Sequence, residues 1–137
     1  LGNIADEYGV IFCLEPNPTC YGANFMTTSQ ETFDAVSAID HPGIKMQLDT
    51  GAITINKESI TDVLVYSINQ IGHVHISEPG LAVVGDSNAD HKSYANAIKA
   101  NFDTPLVSIE MVATQDEPHL TSIERALAFV SQTYRTA

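Results

Sequence analysis

Positive charge is what this chain has least of. Six lysine and arginine residues stand against seventeen aspartate and glutamate residues, a formal net charge of -11 over 137 residues. Such a balance argues against a nucleic-acid partner, because phosphate backbones are met by basic surfaces. Long apolar runs are missing too. Nothing approaches the ~18 residues a membrane span needs, so no membrane partner is expected. Cysteine is scarce: Cys13 falls in an apolar run and Cys20 in a polar loop. No Cys-x-x-Cys pair occurs, and two cysteines make no disulfide framework. Cys13 reads as a small core hydrophobe. The acidic opening segment is unlike a signal peptide, and cytoplasmic residence is the expectation.

What remains is the composition of an ordinary globular chain, 44% hydrophobic and 17% charged. Its length suffices for one domain with a real core and not for two, so residues 1–137 are expected to form a single domain. Strands and helices alternate along it. Strands are expected over about 9–15, 44–49, 72–77 and 106–111. Helices are expected over about 28–39, 58–70, 91–101 and 119–135, after the tail of an earlier one at 1–7. Thr28-Ser29-Gln30-Glu31 reads as a capping box, and Asp90 as a helix cap. Segments 16–24, 50–57 and 78–89 read as loops. The last helix is expected to turn Ile123, Ala126, Leu127 and Val130 inward.

Alternation of this kind predicts an α/β fold with a parallel sheet and right-handed crossovers. Side chains on a strand alternate between faces. One set, Val10, Phe12, Leu14, Ile44, Met46, Leu48, Val74, Ile76, Val107 and Ile109, is wholly apolar and should lie under helices. The other set turns polar toward each carboxyl end: Glu15, Gln47, Asp49, His73, His75 and Glu110. A doubly wound sheet wants both faces apolar, whereas a barrel covers only its outer face with helices and ends in a polar layer. Four parallel βα units are half of the eight that a (βα)8 TIM barrel of about 250 residues requires. Two open sheet edges invite pairing. A homo-oligomer, or pairing with a missing half-barrel, is therefore expected.

Glu15, Asp49, His75 and Glu110 fall at four successive strand ends, where parallel barrels place their chemistry. Alone, an acidic residue at a strand end is most often a cap or a solvated loop residue, and a strand histidine a hydrogen-bonded core residue. Together, on one register, they point to a shared ion. Three carboxylates and one imidazole are mostly hard donors, which suit Mn²⁺ or Mg²⁺, with Co²⁺ or Zn²⁺ also admissible. The ion would relieve mutual repulsion among the carboxylates and act as a Lewis acid toward a carbonyl. His73, one layer deeper, is expected to support a ligand or pack in the core, and Gln47 to orient one. His41 and His119 read as surface residues, Lys45 as an interior salt bridge or frayed end. His91 stays open, with organisation of the preceding loop one reading.

Four motifs carry a family resemblance: Leu14-Glu15-Pro16-Asn17-Pro18, Leu48-Asp49-Thr50-Gly51, Gly72-His73-Val74-His75-Ile76-Ser77-Glu78 and Val107-Ser108-Ile109-Glu110. In order, with gaps of 34, 26 and 35 residues between Glu15, Asp49, His75 and Glu110, they resemble the carboxyl-terminal half of the xylose isomerase-like sugar isomerases and epimerases. That superfamily includes ketose 3-epimerases, hydroxypyruvate isomerases and inosose dehydratases. The resemblance implies strands five to eight of the barrel. It implies one divalent metal held by Glu15, Asp49, His75 and Glu110, with Glu15 and Glu110 as the acid/base pair. Asn17 and Glu78, within the motifs, join His73 and Gln47 as residues expected to support the site or contact substrate. Ala52 and Leu81 depart from the pattern, since many relatives carry a His and ketose epimerases an Arg at those places. Arg125 and Arg135, the only arginines, fall in the last helix.

The implied activity is isomerisation or epimerisation of a small-molecule sugar or sugar-like substrate. It would proceed by deprotonation beside a metal-bound carbonyl through an enediolate. A dehydratase with the same site is one alternative, an inactive half-barrel serving in assembly another. Apurinic-site nucleases share the barrel but use several more histidines and a basic groove, and the net charge argues against them.

Overall fold

Four strands run side by side and parallel in the order in which the chain makes them: β1 (Phe12–Leu14), β2 (Ile44–Asp49), β3 (Ile71–Ile76) and β4 (Val107–Ile109). They belong to a computed structural model that describes residues 1–103 and 106–135. Among the described residues six α-helices accompany them: α1 (Gly2–Glu7), α2 (Ser29–Ile39), α3 (Thr50–Asn56), α4 (Ile60–Ser67), α5 (His91–Asn101) and α6 (His119–Tyr134). A doubly wound sheet reverses its strand order at a switch point. This one does not, which is the α/β half-barrel arrangement expected. The first and last strands are shorter than predicted, because each has a hydrogen-bonded neighbour on one side only.

The caps explain most helix starts. Thr28 Oγ1 accepts from the Glu31 amide at 3.1 Å. The Glu31 carboxylate returns to the amide of Thr27, at 2.7 Å, one residue earlier than a capping box would place it. Asp90 accepts from the Ser93 amide at 3.1 Å and opens α5. Helix α3 occupies what was expected to be loop. Its N-cap is Asp49, whose Oδ1 accepts from the Ala52 amide at 2.6 Å. A side chain read as a ligand thus also starts a helix.

The main core lies between the sheet and helices α3 to α6, around Leu48, Ile53, Leu64, Val74, Ile76 and Ile98. A smaller cluster of Val36, Ile44 and Met46 sits under α2. Two expectations fail at the ends of the sheet. Val10 and Phe12 are not under a helix; Phe12 is 41% exposed. On α6 the buried positions are Ser122, Ala126, Val130 and Tyr134, each four residues on from the last. Ile123 and Leu127 face outward. Small Ser122 and Ala126 allow close approach, and the larger apolar residues are left on the flank. No helix among the described residues is long and apolar enough to cross a membrane.

Candidate metal centre

The strand ends converge. Asp49 closes β2 and stands in register with His75 of β3. Glu15 follows β1 directly, and Glu110 follows β4, its amide donating to Ile76 O at 3.0 Å to extend the ladder. One donor atom from each of the four lies within 4.8 Å of the others. Nδ1 of His75 is 2.9 Å from Glu15 Oε1, 3.4 Å from Glu110 Oε2 and 3.9 Å from Asp49 Oδ2. Residues up to 95 positions apart, the separation of 15 and 110, so share one small volume.

Neighbours fix the donors. Gln47, buried one layer below, donates through Nε2 to Glu15 Oε1 at 2.6 Å and touches His75 Nδ1. Asp49 uses Oδ1 on the Ala52 amide and Oδ2 on the Ser77 hydroxyl, which donates at 2.8 Å. Asp49 is 8% exposed at its side chain, while Glu15 and Glu110 are 40% and 37% exposed. The inner strands therefore supply a sequestered carboxylate, and the outer strands two that solvent or a ligand can reach.

Charge crowding shows in the titration of the group. Burial pushes the Asp49 carboxyl up to about 6, and the negative charges of Glu15 and Glu110 push the same way. A hydrogen bond from His75 holds Glu15 below the usual carboxylate range, against partial burial. The same bond raises His75, with the three carboxylates adding to it. Without another cation, His75 and Asp49 hold their protons to higher pH than they would in isolation. A dication would let all four groups act as deprotonated donors. Three carboxylate oxygens and one ring nitrogen fit one, and the group could hold a metal ion.

A cavity of about 300 Å³ opens beside the quartet. Asn17 and Tyr21 from the β1–α2 loop line it, as do Ala52, Ser77 and Leu81. Among the described residues no lysine or arginine does. Glu78 also borders it, but its carboxylate is fully buried and turned away. That carboxylate accepts from Gly85 N and His91 Nε2, each at 2.9 Å, and from the Ser87 hydroxyl. His73 donates to or accepts from Ser108 Oγ at 2.8 Å and stands edge-on to His75, outside the quartet. Lys45 Nζ donates to Asn69 O at 3.1 Å, away from the cavity. His119 is exposed, whereas His41 is half-buried against Asn3 and the Gly43 amide rather than on the surface. Sequence reasoning missed the buried line Glu78–His91–Tyr134. The pairing of Asp90 with His91 at a helix start was its only trace.

A family model described as xylose isomerase-like TIM barrel matches residues 1–133. A D-psicose 3-epimerase of Ruminiclostridium cellulolyticum is 32% identical over 85 residues, which are 62% of this chain and 29% of that protein. The structure of D-psicose 3-epimerase with D-tagatose from Clostridium cellulolyticum H10 superposes with a TM-score of 0.79 at 22% identity, covering 98% of this chain and 53% of that one. The IOLI protein, solved with a bound zinc atom, superposes with a TM-score of 0.72 at 17% identity, covering 96% and 51%. The chain thus spans about half the length of the structures it resembles.

Proposed function

The chain belongs to the xylose isomerase-like TIM-barrel family, and on that premise we propose that the assembled protein is a metal-dependent epimerase or isomerase of an uncharged sugar. The observation that carries this reading is the meeting of Glu15, Asp49, His75 and Glu110 within 4.8 Å, with the two glutamates on opposite flanks. Bound there, a divalent ion such as Mn²⁺ or Mg²⁺ would supply Lewis acidity to a carbonyl and its neighbouring hydroxyl.

The chain's own groups do the rest. Asp49, locked by Ala52 N and Ser77 Oγ, and His75 hold position. Glu15 and Glu110 are the reachable carboxylates, one from each outer strand. One removes the proton beside the carbonyl and the other returns a proton from the opposite face. Charge selects the substrate: a phosphate or carboxylate would find carboxylates and no cation among the described lining residues. The relatives' epimerase names support the same class.

Closure of the barrel belongs to this reading. Val10 and Phe12 at one end of the sheet, and Leu106, Leu120 and Leu127 at the other, are apolar and exposed. They fit a complementary half of the same barrel, which would also complete the cavity wall.

Turnover of D-psicose or D-tagatose in deuterated water, followed by NMR, tests the function. Epimerisation leaves a sugar with deuterium at the inverted carbon. A deoxy or unsaturated product would make the protein a dehydratase. Glu15→Gln and Glu110→Gln should each abolish turnover while the fold persists; wild-type rates in either variant would refute the proton-transfer roles.

A further inference from the structure

We propose that Tyr21 is a substrate-binding residue of this cavity, held by Gly80 and donating its phenolic proton to a hydroxyl of the bound sugar. The inference rests on the sugar-site reading above and names a contact within it.

The geometry begins in two turns. Residues Thr19–Tyr21 form a 3-10 turn that ends at Gly22, in the left-handed region at φ 87°. Residues Pro79–Leu81 form another, in which Gly80 and Leu81 both have positive φ, 69° and 54°. A leucine rarely adopts that conformation. Here Leu81 N donates to Glu78 O at 2.9 Å, and Val112 N donates to Leu81 O at 2.9 Å. The buried Glu78 holds the same segment from below. The Gly80 amide of the turn so fixed donates to Tyr21 Oη at 2.7 Å. Fifty-nine residues separate the two partners. The loops after β1 and β3, which both line the cavity, are thereby joined to each other.

Donor supply then assigns the phenol a second task. A sugar hydroxyl both gives and accepts hydrogen bonds. Carboxylates can take its protons, but its lone pairs need donors. Ser77 spends its hydroxyl proton on Asp49. Ala52 and Leu81, both lining the cavity, have no polar side-chain atom. Asn17 and Tyr21 are the side-chain donors left among the described lining residues. A phenol that accepts from Gly80 keeps its own proton, and accepting one hydrogen bond strengthens the one it donates. Tyr21 is 46% exposed, so the proton is within reach of a ligand.

The test compares wild type with Tyr21→Phe in the Mn²⁺-loaded protein, with D-tagatose and D-psicose as probes. This substitution keeps the ring and removes only the hydroxyl. Expected are a KM or dissociation constant for sugar raised about fivefold, the worth of one neutral hydrogen bond. Also expected are an unchanged kcat, unchanged Mn²⁺ affinity and faster hydrogen exchange at the Gly80 amide. Faster exchange with unaltered sugar affinity would make the link merely structural and overturn the proposal. Weakened Mn²⁺ binding would overturn it too, by moving the effect to the metal site. A wild-type protein that binds Mn²⁺ but neither sugar overturns the sugar-site reading itself, and this contact with it; the variant is not needed to see that.

Discussion

His91 Nε2 lies 2.9 Å from Glu78 Oε1, and both side chains are closed to solvent. On its other side His91 Nδ1 is 2.6 Å from the hydroxyl of Tyr134. The line joins the segment after β3 to the start of α5 and the end of α6. Removing its middle takes one of three partners from the buried Glu78 carboxylate and the ring partner from the Tyr134 hydroxyl. His91→Leu should cost about 2–4 kcal/mol, since two buried polar groups then each lose a hydrogen bond. Urea unfolding measures it; a loss below about 0.5 kcal/mol would place the line among ordinary surface contacts.

Gln47 is the supporter whose loss should be felt at the ion. It donates to Glu15 Oε1 at 2.6 Å from beneath the quartet. Gln47→Leu keeps the bulk and removes the donor. Supporting groups of this kind are worth about 10- to 100-fold in metal affinity, and a drop of that size in Mn²⁺ affinity is expected by titration calorimetry. Equal affinity in the two proteins would leave Gln47 as core filler.

Acidity should act in opposite senses on the metal-free and metal-loaded protein. Asp49 is raised from 3.8 to about 6 on folding, and His75 is raised from 6.5. A raised group contributes stability that is present below its unfolded pKa and lost as pH climbs through its folded one. With a chelator present, stability should therefore fall between about pH 4 and pH 7. Asp49 supplies about 3 kcal/mol at most, the free-energy equivalent of a rise from 3.8 to about 6. Asp49→Asn should flatten the lower part of that fall. Glu15 is lowered and works the other way, but only at more acid pH. Added Mn²⁺ competes with the protons and should stabilise more at about pH 7.5 than at about pH 5. Thermal unfolding at both pH values checks each arm, and a metal-free melting temperature that rises across this window sinks the account.

The outward leucines of α6 offer a test of assembly. Leu120 and Leu127 are 67% and 52% exposed. Replacing both by Ser should leave the chain's own unfolding within about 1 kcal/mol, as surface changes do. The same change should lower association with a second half-barrel, or with a second copy, in sedimentation. Identical sedimentation would show that this flank is not part of the closing surface.

How much of this could be read beforehand varied with how local the cause was. The convergence of Glu15, Asp49, His75 and Glu110 was legible because a strand-end position fixes where a side chain goes once strands run parallel. Helix α3 was not legible. Its sequence, Thr-Gly-Ala-Ile-Thr-Ile-Asn, is rich in β-branched residues that favour other conformations. What starts it is Asp49, whose strand-end position points to an ion rather than to a cap. The apolar period of β1 was visible, but a period says which side is apolar, not whether anything covers it; Val10 and Phe12 remain exposed. Glu78 was expected to support the site or contact substrate. The burial of its carboxylate against His91, thirteen residues on, depends on the path of a whole loop.

Asp49 serves two masters with two oxygens, one on the backbone of α3 and one turned toward the cluster by Ser77. A Glu in its place, longer by one methylene, could not keep both appointments. An ion drawing on that carboxylate would tug on the first turn of the helix, so loading should register in the α3 backbone as well as in the cavity. The amide resonance of Ala52 is thus a built-in gauge of occupancy.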